Sequence, residues 1–229
     1  MMNISDNLQA VRHRIAVAAL ACGRDPAGIK LLAVSKTRPD EDIMAAVAAG
    51  QCAFGENYVQ EGCDKARRLS AAGHALDWHF IGPIQSNKTL PVATWFDWVH
   101  SIDRERIAQR LSDQRSADRP PLCICIQVNV SGEASKSGIA PDDVAALADA
   151  VAGLPRLKLR GLMAIPEPTD DVVLQRRRFA RLRQLLEELN AHGHALDTLS
   201  MGMSQDLEAA IAEGATVVRV GTALFGERM

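Results

Sequence analysis

Apolar residues in this chain fall into short unbroken runs separated by longer stretches of helical spacing. The runs at 30–35, 52–55, 78–82, 98–102, 122–130, 158–165, 198–201 and 216–220 read as strands. Several, such as Leu31-Leu32-Ala33-Val34, carry no polar break, which is the pattern of a parallel strand covered on both faces. Helical spacing between them is clearest at 40–49, 104–114, 142–152, 172–192 and 205–212. Pro39-Asp40 opens one of these helices and Gly50 closes it, while Pro141-Asp142 and Gly153 bracket another. Proline suits a first helical turn and glycine the position just past the last. In the helix at 172–192, Phe179, Leu182, Leu185, Leu186 and Leu189 share a face that predicts packing against a sheet. Ahead of the first strand, Leu8, Val11, Ile15, Ala18 and Cys22 recur at helical spacing and predict an amphipathic N-terminal helix.

Eight strands alternating with helices predict an α/β fold. An open doubly wound sheet and a closed barrel both satisfy the alternation. The strand count and the length of 229 residues favour a single (β/α)8 TIM barrel with an extra N-terminal helix. No linker or shift of composition divides the chain, so residues 1–229 are expected to form one domain.

Composition narrows the function classes. A net charge of -2 gives no electrostatic case for nucleic acid or an anionic membrane. Arg176, Arg177, Arg178, Arg181 and Arg183 are followed by Glu187 and Glu188, and read as a solvated helix face. Cys22, Cys52, Cys63, Cys123 and Cys125 are an odd number at irregular spacing, which points to a reducing compartment. Cys123 and Cys125 read as small buried hydrophobes rather than a metal pair. Arg12 and Arg14 ahead of the apolar run at 15–21 give a superficial likeness to a secretory leader, but the run is short and Asp6 lies upstream. No stretch approaches a membrane span. The chain is expected to be cytoplasmic and monomeric.

Chemistry in a barrel gathers at the C-terminal ends of the strands. Leu32, Val34 and Lys36 alternate onto one face of the first strand, which places the Lys36 amine at the centre of the mouth. Low-dielectric walls there lower an amine's pKa and free it to attack a carbonyl. The alternative is a lysine paired with a carboxylate such as Glu56, or one reaching water. The seventh strand runs into Ser200-Met201-Gly202-Met203-Ser204, and the eighth into Arg219-Val220-Gly221-Thr222-Ala223. Barrels commonly bind phosphate with these two loops: glycine lets backbone approach the anion, and Ser204 and Thr222 supply hydroxyls at helix starts. Serine and threonine are also ordinary N-caps. Opposite an inward lysine, both loops together point to a phosphorylated carbonyl compound. Arg219 follows Val217 on the same face, where it pairs with an anion or a ring nitrogen, or else closes the barrel with a salt bridge. His79 alternates with Trp78 and Phe80 and reads as a hydrogen-bonded wall residue. There is no Walker loop, no dinucleotide fingerprint and no Ser–His–Asp order.

One more set of segments is informative. They are Ala33-Val34-Ser35-Lys36, Phe54-Gly55-Glu56-Asn57-Tyr58-Val59-Gln60-Glu61, His79-Phe80-Ile81-Gly82 and Gln85-Ser86-Asn87-Lys88. Further along come Val128-Asn129-Val130 with Lys136, Gly161-Leu162-Met163, Leu199-Ser200-Met201-Gly202-Met203-Ser204 and Val218-Arg219-Val220-Gly221-Thr222. In collinear order over nearly the whole chain, they resemble the pyridoxal phosphate homeostasis proteins. The resemblance implies the barrel of the alanine racemase N-terminal domain, fold type III, with pyridoxal 5′-phosphate (PLP) as cofactor. It implies Lys36 as the Schiff-base lysine, with Ser204, Gly221 and Thr222 on the phosphate and Arg219 facing the pyridine nitrogen. Asn57 and Met163 would line the ring pocket. It further implies cofactor holding and delivery in intracellular PLP homeostasis, with PLP-dependent apoenzymes as transient partners and no catalytic residue.

Two positions depart from that pattern. Arg38 stands where some relatives have a second lysine, and the chain ends at Glu227-Arg228-Met229 without the basic tail of some relatives. Two enzyme classes compete. An alanine racemase-type enzyme needs an acid or base on each face of the substrate, and the only tyrosine is Tyr58, early in the chain. A class I aldolase usually carries its lysine on a later strand.

Overall fold

The computed structural model describes residues 3–132 and 137–227; Lys136, Arg228 and Met229 lie outside them. The strands are β1 (Lys30–Val34), β2 (Ala53–Glu56), β3 (Asp77–Phe80), β4 (Trp98–Ile102), β5 (Leu122–Gln127), β6 (Leu157–Met163), β7 (Thr198–Ser200) and β8 (Val217–Val220). All pair in parallel in chain order, and β8 closes on β1 with Leu32 opposite Arg219, forming the barrel that the alternation predicts. Each apolar run holds one strand, but several strands stop short of the run's end. Ser35, Ile81, Val128 and Ile165 leave the ladder for the loops at the mouth, so the trimmed residues are those that build the site.

The described helices are α1 (Ile4–Ala21), α2 (Asp40–Ala48), α3 (Val59–Ala71), α4 (Thr89–Trp95), α5 (Glu105–Gln114), α6 (Val144–Ala152), α7 (Val172–Ala191), α8 (Leu207–Ala212) and α9 (Thr222–Phe225). The sequence patterning does not single out α3 or α4. Helix α3 buries Gly62, Cys63, Lys65, Ala66 and Leu69, small residues and a lysine in place of a stripe of large apolar ones. Helix α7 buries Phe179, Leu182, Leu185 and Leu189 as its pattern predicts.

Alternation along the strands divides the interior in two. Phe54, Phe80, Val99, Ile124, Leu162, Leu199 and Val218 point outward into the layer between sheet and helices, where most of the core sits. Phe80 meets Phe96 edge-on there, with centroids 5.2 Å apart, a favoured aromatic geometry. The lumen holds a small apolar cluster of Leu32, Ala53, Ile81 and Val217, with polar side chains beside it.

Helix α1 seals the outside of the barrel beside α8 and α9 through Leu8, Val11, Ile15 and Ala19. The buried stripe runs through Ala19 rather than Ala18, and Cys22 is an exposed C-cap. Arg12 donates to Ala49 O and Gly50 O, and Arg24 to Ile211 O and Ala215 O. These basic residues fasten α1 and the turn after it to the barrel. No helix among the described residues is long and apolar enough to cross a membrane.

Candidate functional site

The strand ends surround a cavity of about 480 Å³ at the barrel mouth, within the range of small-molecule sites. Six residues singled out from the sequence line it: Lys36, Asn57, Ser204, Arg219, Gly221 and Thr222. The structure does not bring Met163 to the wall; it is fully buried, level with Gln127 and Ser200 in the ladder. Sequence reasoning missed the apolar part of the wall, formed by Ile81, Ile165, Pro166 and Pro168 with Met203. Ile81 was within reach of the alternation Asp77, His79, Ile81, but the loop residues obey no period. A larger groove of about 690 Å³ runs outside the barrel along α1 and α8. Its wall is mostly apolar and its Arg14 and Glu208 pair with each other, so the convergent polar groups lie at the mouth.

Lys36 sits half-buried in the turn after β1, and that turn is fastened from behind. Lys65 Nζ donates to Ser35 O (2.7 Å), Glu56 Oε1 (2.9 Å) and Glu61 Oε1 (2.6 Å). Ser35 Oγ donates to the same Glu56 oxygen at 2.6 Å. Burial pushes the Glu56 carboxyl up, against the pull of Lys65 and Ser35. Glu56 thus serves Lys65 on the outer face of the sheet. Thr37 takes φ 63, a strained value for a β-branched residue, and its N–H donates to Glu61 Oε1 at 2.6 Å.

The two glycine loops stand where the sequence places them. Gly202 adopts φ 92, and a Cβ there would lie 2.6 Å from the Ala210 methyl, so the loop can hug α8 only as glycine. Asp206 accepts from Met203 N–H at 2.6 Å and holds that loop closed. Ser204 is half-buried and Thr222 is exposed at the start of α9. The first-turn N–H groups of a helix have no partner within it, which suits them to an anion.

Arg219 is buried in the lumen, 3% exposed. Nη1 donates to Ser200 O (2.6 Å) and Ser200 Oγ (2.8 Å), and Nη2 to Ala164 O (2.8 Å). All three acceptors are neutral, so these bonds do not make the salt bridge weighed from sequence. Burial lowers its pKa to about 10, offset in part by Asp206 and Cys125, and the guanidinium stays charged at neutral pH.

Beneath it runs a line of polar side chains. Ser200 Oγ lies 2.7 Å from His100 Nδ1, and His100 Nε2 lies 2.8 Å from His79 Nδ1. His79 Nε2 stands 3.0 Å from Asp77 Oδ2, off the straight line of a well-formed hydrogen bond. Lys30 Nζ donates to the same Asp77 oxygen at 2.8 Å. Trp98 stacks on His79, with centroids 5.4 Å apart and planes 8° from parallel. Lys30 and Arg160 cover Trp98 at 5.7 and 5.1 Å, and together these groups floor the barrel.

Burial lowers the pKa of both His79 and His100, that of His100 strongly. Asp77 pulls His79 the other way, while Lys30 on both rings and Arg219 on His100 add to the lowering. Below the unfolded value of about 6.5, the unfolded chain therefore binds more protons than the folded one. Stability is full above that pH and falls as pH drops beneath it. The expected slope approaches about 1.4 kcal/mol per pH unit for each histidine. Denaturant midpoints at pH 7.5 and 5.5 measure it, and His100→Asn is expected to flatten the dependence. An equally steep His100→Asn curve would contradict the assignment.

Comparison with known proteins bears on the family and the fold. The model of the alanine racemase N-terminal domain family matches residues 7–229. The pyridoxal phosphate homeostasis protein of Pseudomonas aeruginosa is 63% identical over 228 residues, covering 100% of this chain and 97% of the relative. The protein of that name from Escherichia coli K12 is 55% identical over 229 residues, covering 100% and 98%. PipY of Synechococcus elongatus PCC7942, solved with PLP bound, has a TM-score of 0.84 at 35% identity, over 97% of this chain and 100% of that one. Alanine racemase from Corynebacterium glutamicum shares the fold, with a TM-score of 0.69 at 18% identity over 96% of this chain and 62% of its own.

Proposed function

The chain belongs to the pyridoxal phosphate homeostasis proteins, within the alanine racemase N-terminal domain family, and from that premise we propose that it holds PLP in the barrel mouth through Lys36 and passes it on. One observation carries this reading. An amine, two hydroxyls on glycine loops and a buried guanidinium converge on a single cavity with an apolar wall. That donor set matches an aldehyde, a phosphate and an aromatic ring bearing a basic nitrogen. When bound, the cofactor supplies an aldehyde that condenses with amines and a ring that draws off electrons.

The chain's own residues then divide the work. Lys36 Nζ is the nucleophile for the aldehyde carbon, and the fastened turn behind it fixes its approach. Ser204, Gly221 and Thr222 hold the phosphate, and Asn57 with the apolar wall confines the ring. Arg219 faces the pyridine nitrogen. Because a guanidinium has only protons to give, Arg219 would leave a ring nitrogen held against it unprotonated, and the bound group would then supply only a weak electron sink. Met163 underlies the pocket at the level of Ser200.

This arrangement favours holding over turnover. Tyr58, the only tyrosine, is 51% exposed at the head of α3 and is not among the residues lining the cavity, so it offers no second acid or base to a substrate there. The recipients in this reading are PLP-dependent apoenzymes of the cytoplasm.

The purified protein is expected to be yellow, with borohydride fixing the cofactor on the peptide that contains Lys36. Lys36→Ala should lose the visible absorbance and keep the fold. Label on Lys136 or any other lysine would overturn the assignment. Chiral chromatography after long incubation with L- or D-alanine tests the rest: sustained turnover that depends on Lys36 would make the protein an enzyme.

A further inference from the structure

The line of polar groups through the lumen has a direction that simple valence rules determine. Asp77 is an acceptor only, while Arg219 is a donor only. At the floor, Lys30 holds Asp77 ionised, and Asp77 Oδ2 lies 3.0 Å from His79 Nε2; a lone pair on that nitrogen would face a carboxylate, so Nε2 carries the proton and Nδ1 is a bare acceptor. His100 fills that acceptor from Nε2–H at 2.8 Å, which leaves its own Nδ1 bare. The Ser200 hydroxyl donates to that nitrogen at 2.7 Å and keeps a lone pair for Arg219 Nη1 at 2.8 Å. Reversing any one bond sets two donors or two lone pairs face to face, in a core where His79, His100 and Ser200 are 0% exposed. Such a mismatch between buried groups is costly.

We propose that Ser200, His100 and His79 are positioning residues for Arg219, a one-way column of hydrogen bonds that runs toward Asp77 and fixes the guanidinium at the cavity. The five residues come from four strands: Arg219 from β8, Ser200 from β7, His100 from β4, and His79 and Asp77 from β3. The column therefore spans the lumen and ties the mouth to the floor. Aligned hydrogen bonds polarise one another, so negative charge at Asp77 strengthens the bond that Ser200 accepts from Arg219. The orientation of Arg219 toward a ligand in the mouth is thus set by residues that touch no ligand. The link to cofactor binding rests on the reading that PLP occupies the mouth; the column itself does not.

Nitrogen-15 spectra of histidine-labelled protein without cofactor test the column. Both His79 and His100 are expected as neutral Nε2–H tautomers, with Ser200→Ala shifting the Nδ1 signal of His100. An Nδ1–H tautomer, an imidazolium, or a His100 signal indifferent to Ser200→Ala would overturn the proposal. Asp77→Asn, remote from the mouth, is the second variant. It removes the obligate acceptor, so a mixture of His79 tautomers is expected, and an unchanged single tautomer counts against the column. With PLP added, Ser200→Ala should weaken binding by about tenfold and move the visible absorbance maximum, and Ser200→Thr should restore both. Wild-type affinity and spectrum in Ser200→Ala would refute the role of the column in binding. Wild-type protein that takes up no PLP would instead refute the proposed function, and the spectra of the cofactor-free protein still decide the column.

Discussion

Pyridoxal, which lacks the phosphate, is expected to bind roughly a thousandfold more weakly than PLP. The ester brings a dianion to the hydroxyls of Ser204 and Thr222 and to backbone N–H groups beside Gly221. Hydrogen bonds to a charged group contribute about 1.5–3 kcal/mol each, so three at the low end amount to about 4.5 kcal/mol. The double variant Ser204→Ala with Thr222→Val should remove two of them and cost PLP roughly a hundredfold in affinity. Pyridoxal should bind that variant as well as it binds the parent, which separates a lost phosphate contact from a damaged barrel. Titration followed by absorbance measures all four affinities. Equal binding of ester and alcohol to the parent protein would place the phosphate in solvent and sink the assignment of both loops.

Gly161→Ala is expected to be the most damaging single methyl in the barrel. A Cβ at this position would stand 1.8 Å from Thr198 O and 2.6 Å from its carbonyl carbon. Those atoms are backbone of the paired strand and cannot swing aside, so β6 and β7 must part. Overpacking of this kind costs up to about 3 kcal/mol and sometimes more. In a domain of this size that lowers Tm by about 6–12 °C. The two strands also present Ala164 O and Ser200 O to Arg219, so cofactor affinity should fall along with stability. Gly28→Ala is the control, because its Cβ would meet nothing within 4 Å and its φ is not positive. A thermal scan of the two variants checks the contrast; comparable melting would show that β6 gives way more easily than the geometry allows.

The barrel and most of its site were legible from the chain because both follow short-range rules. Period-two alternation puts Lys36 and Arg219 inside, and a glycine with a hydroxyl soon after it at the ends of β7 and β8 marks the loops proposed to hold the phosphate. Boundary shifts arose where Ile81, Val128 and Ile165 keep the apolar character of a strand beyond its end. The polar column was not legible. Ser200 and His100 meet across 100 residues of sequence, and no local pattern announces a pair so distant. His79 showed its inward direction by alternation with Trp78 and Phe80, yet its partner could be known only once β4 was seen beside β3. Met163, which the resemblance places at the ring pocket, lies buried opposite Ser200 and is not among the residues lining the cavity. Helix α3 escaped because the face it buries is built from Gly62, Cys63 and Ala66 with Lys65, and small residues give little periodic contrast.

The stack of Trp98, Lys30 and Arg160 under His79 makes the barrel a well rather than a tunnel. Arrivals and departures share one door, so a ligand in the mouth must leave before another of its kind can enter. Dwell time is then set at that one opening, by the residues of the rim and by the buried groups that hold Arg219 beneath it. In the proposed hand-over, a recipient protein would meet the cofactor only at that single opening, which would turn the transfer into an ordered queue.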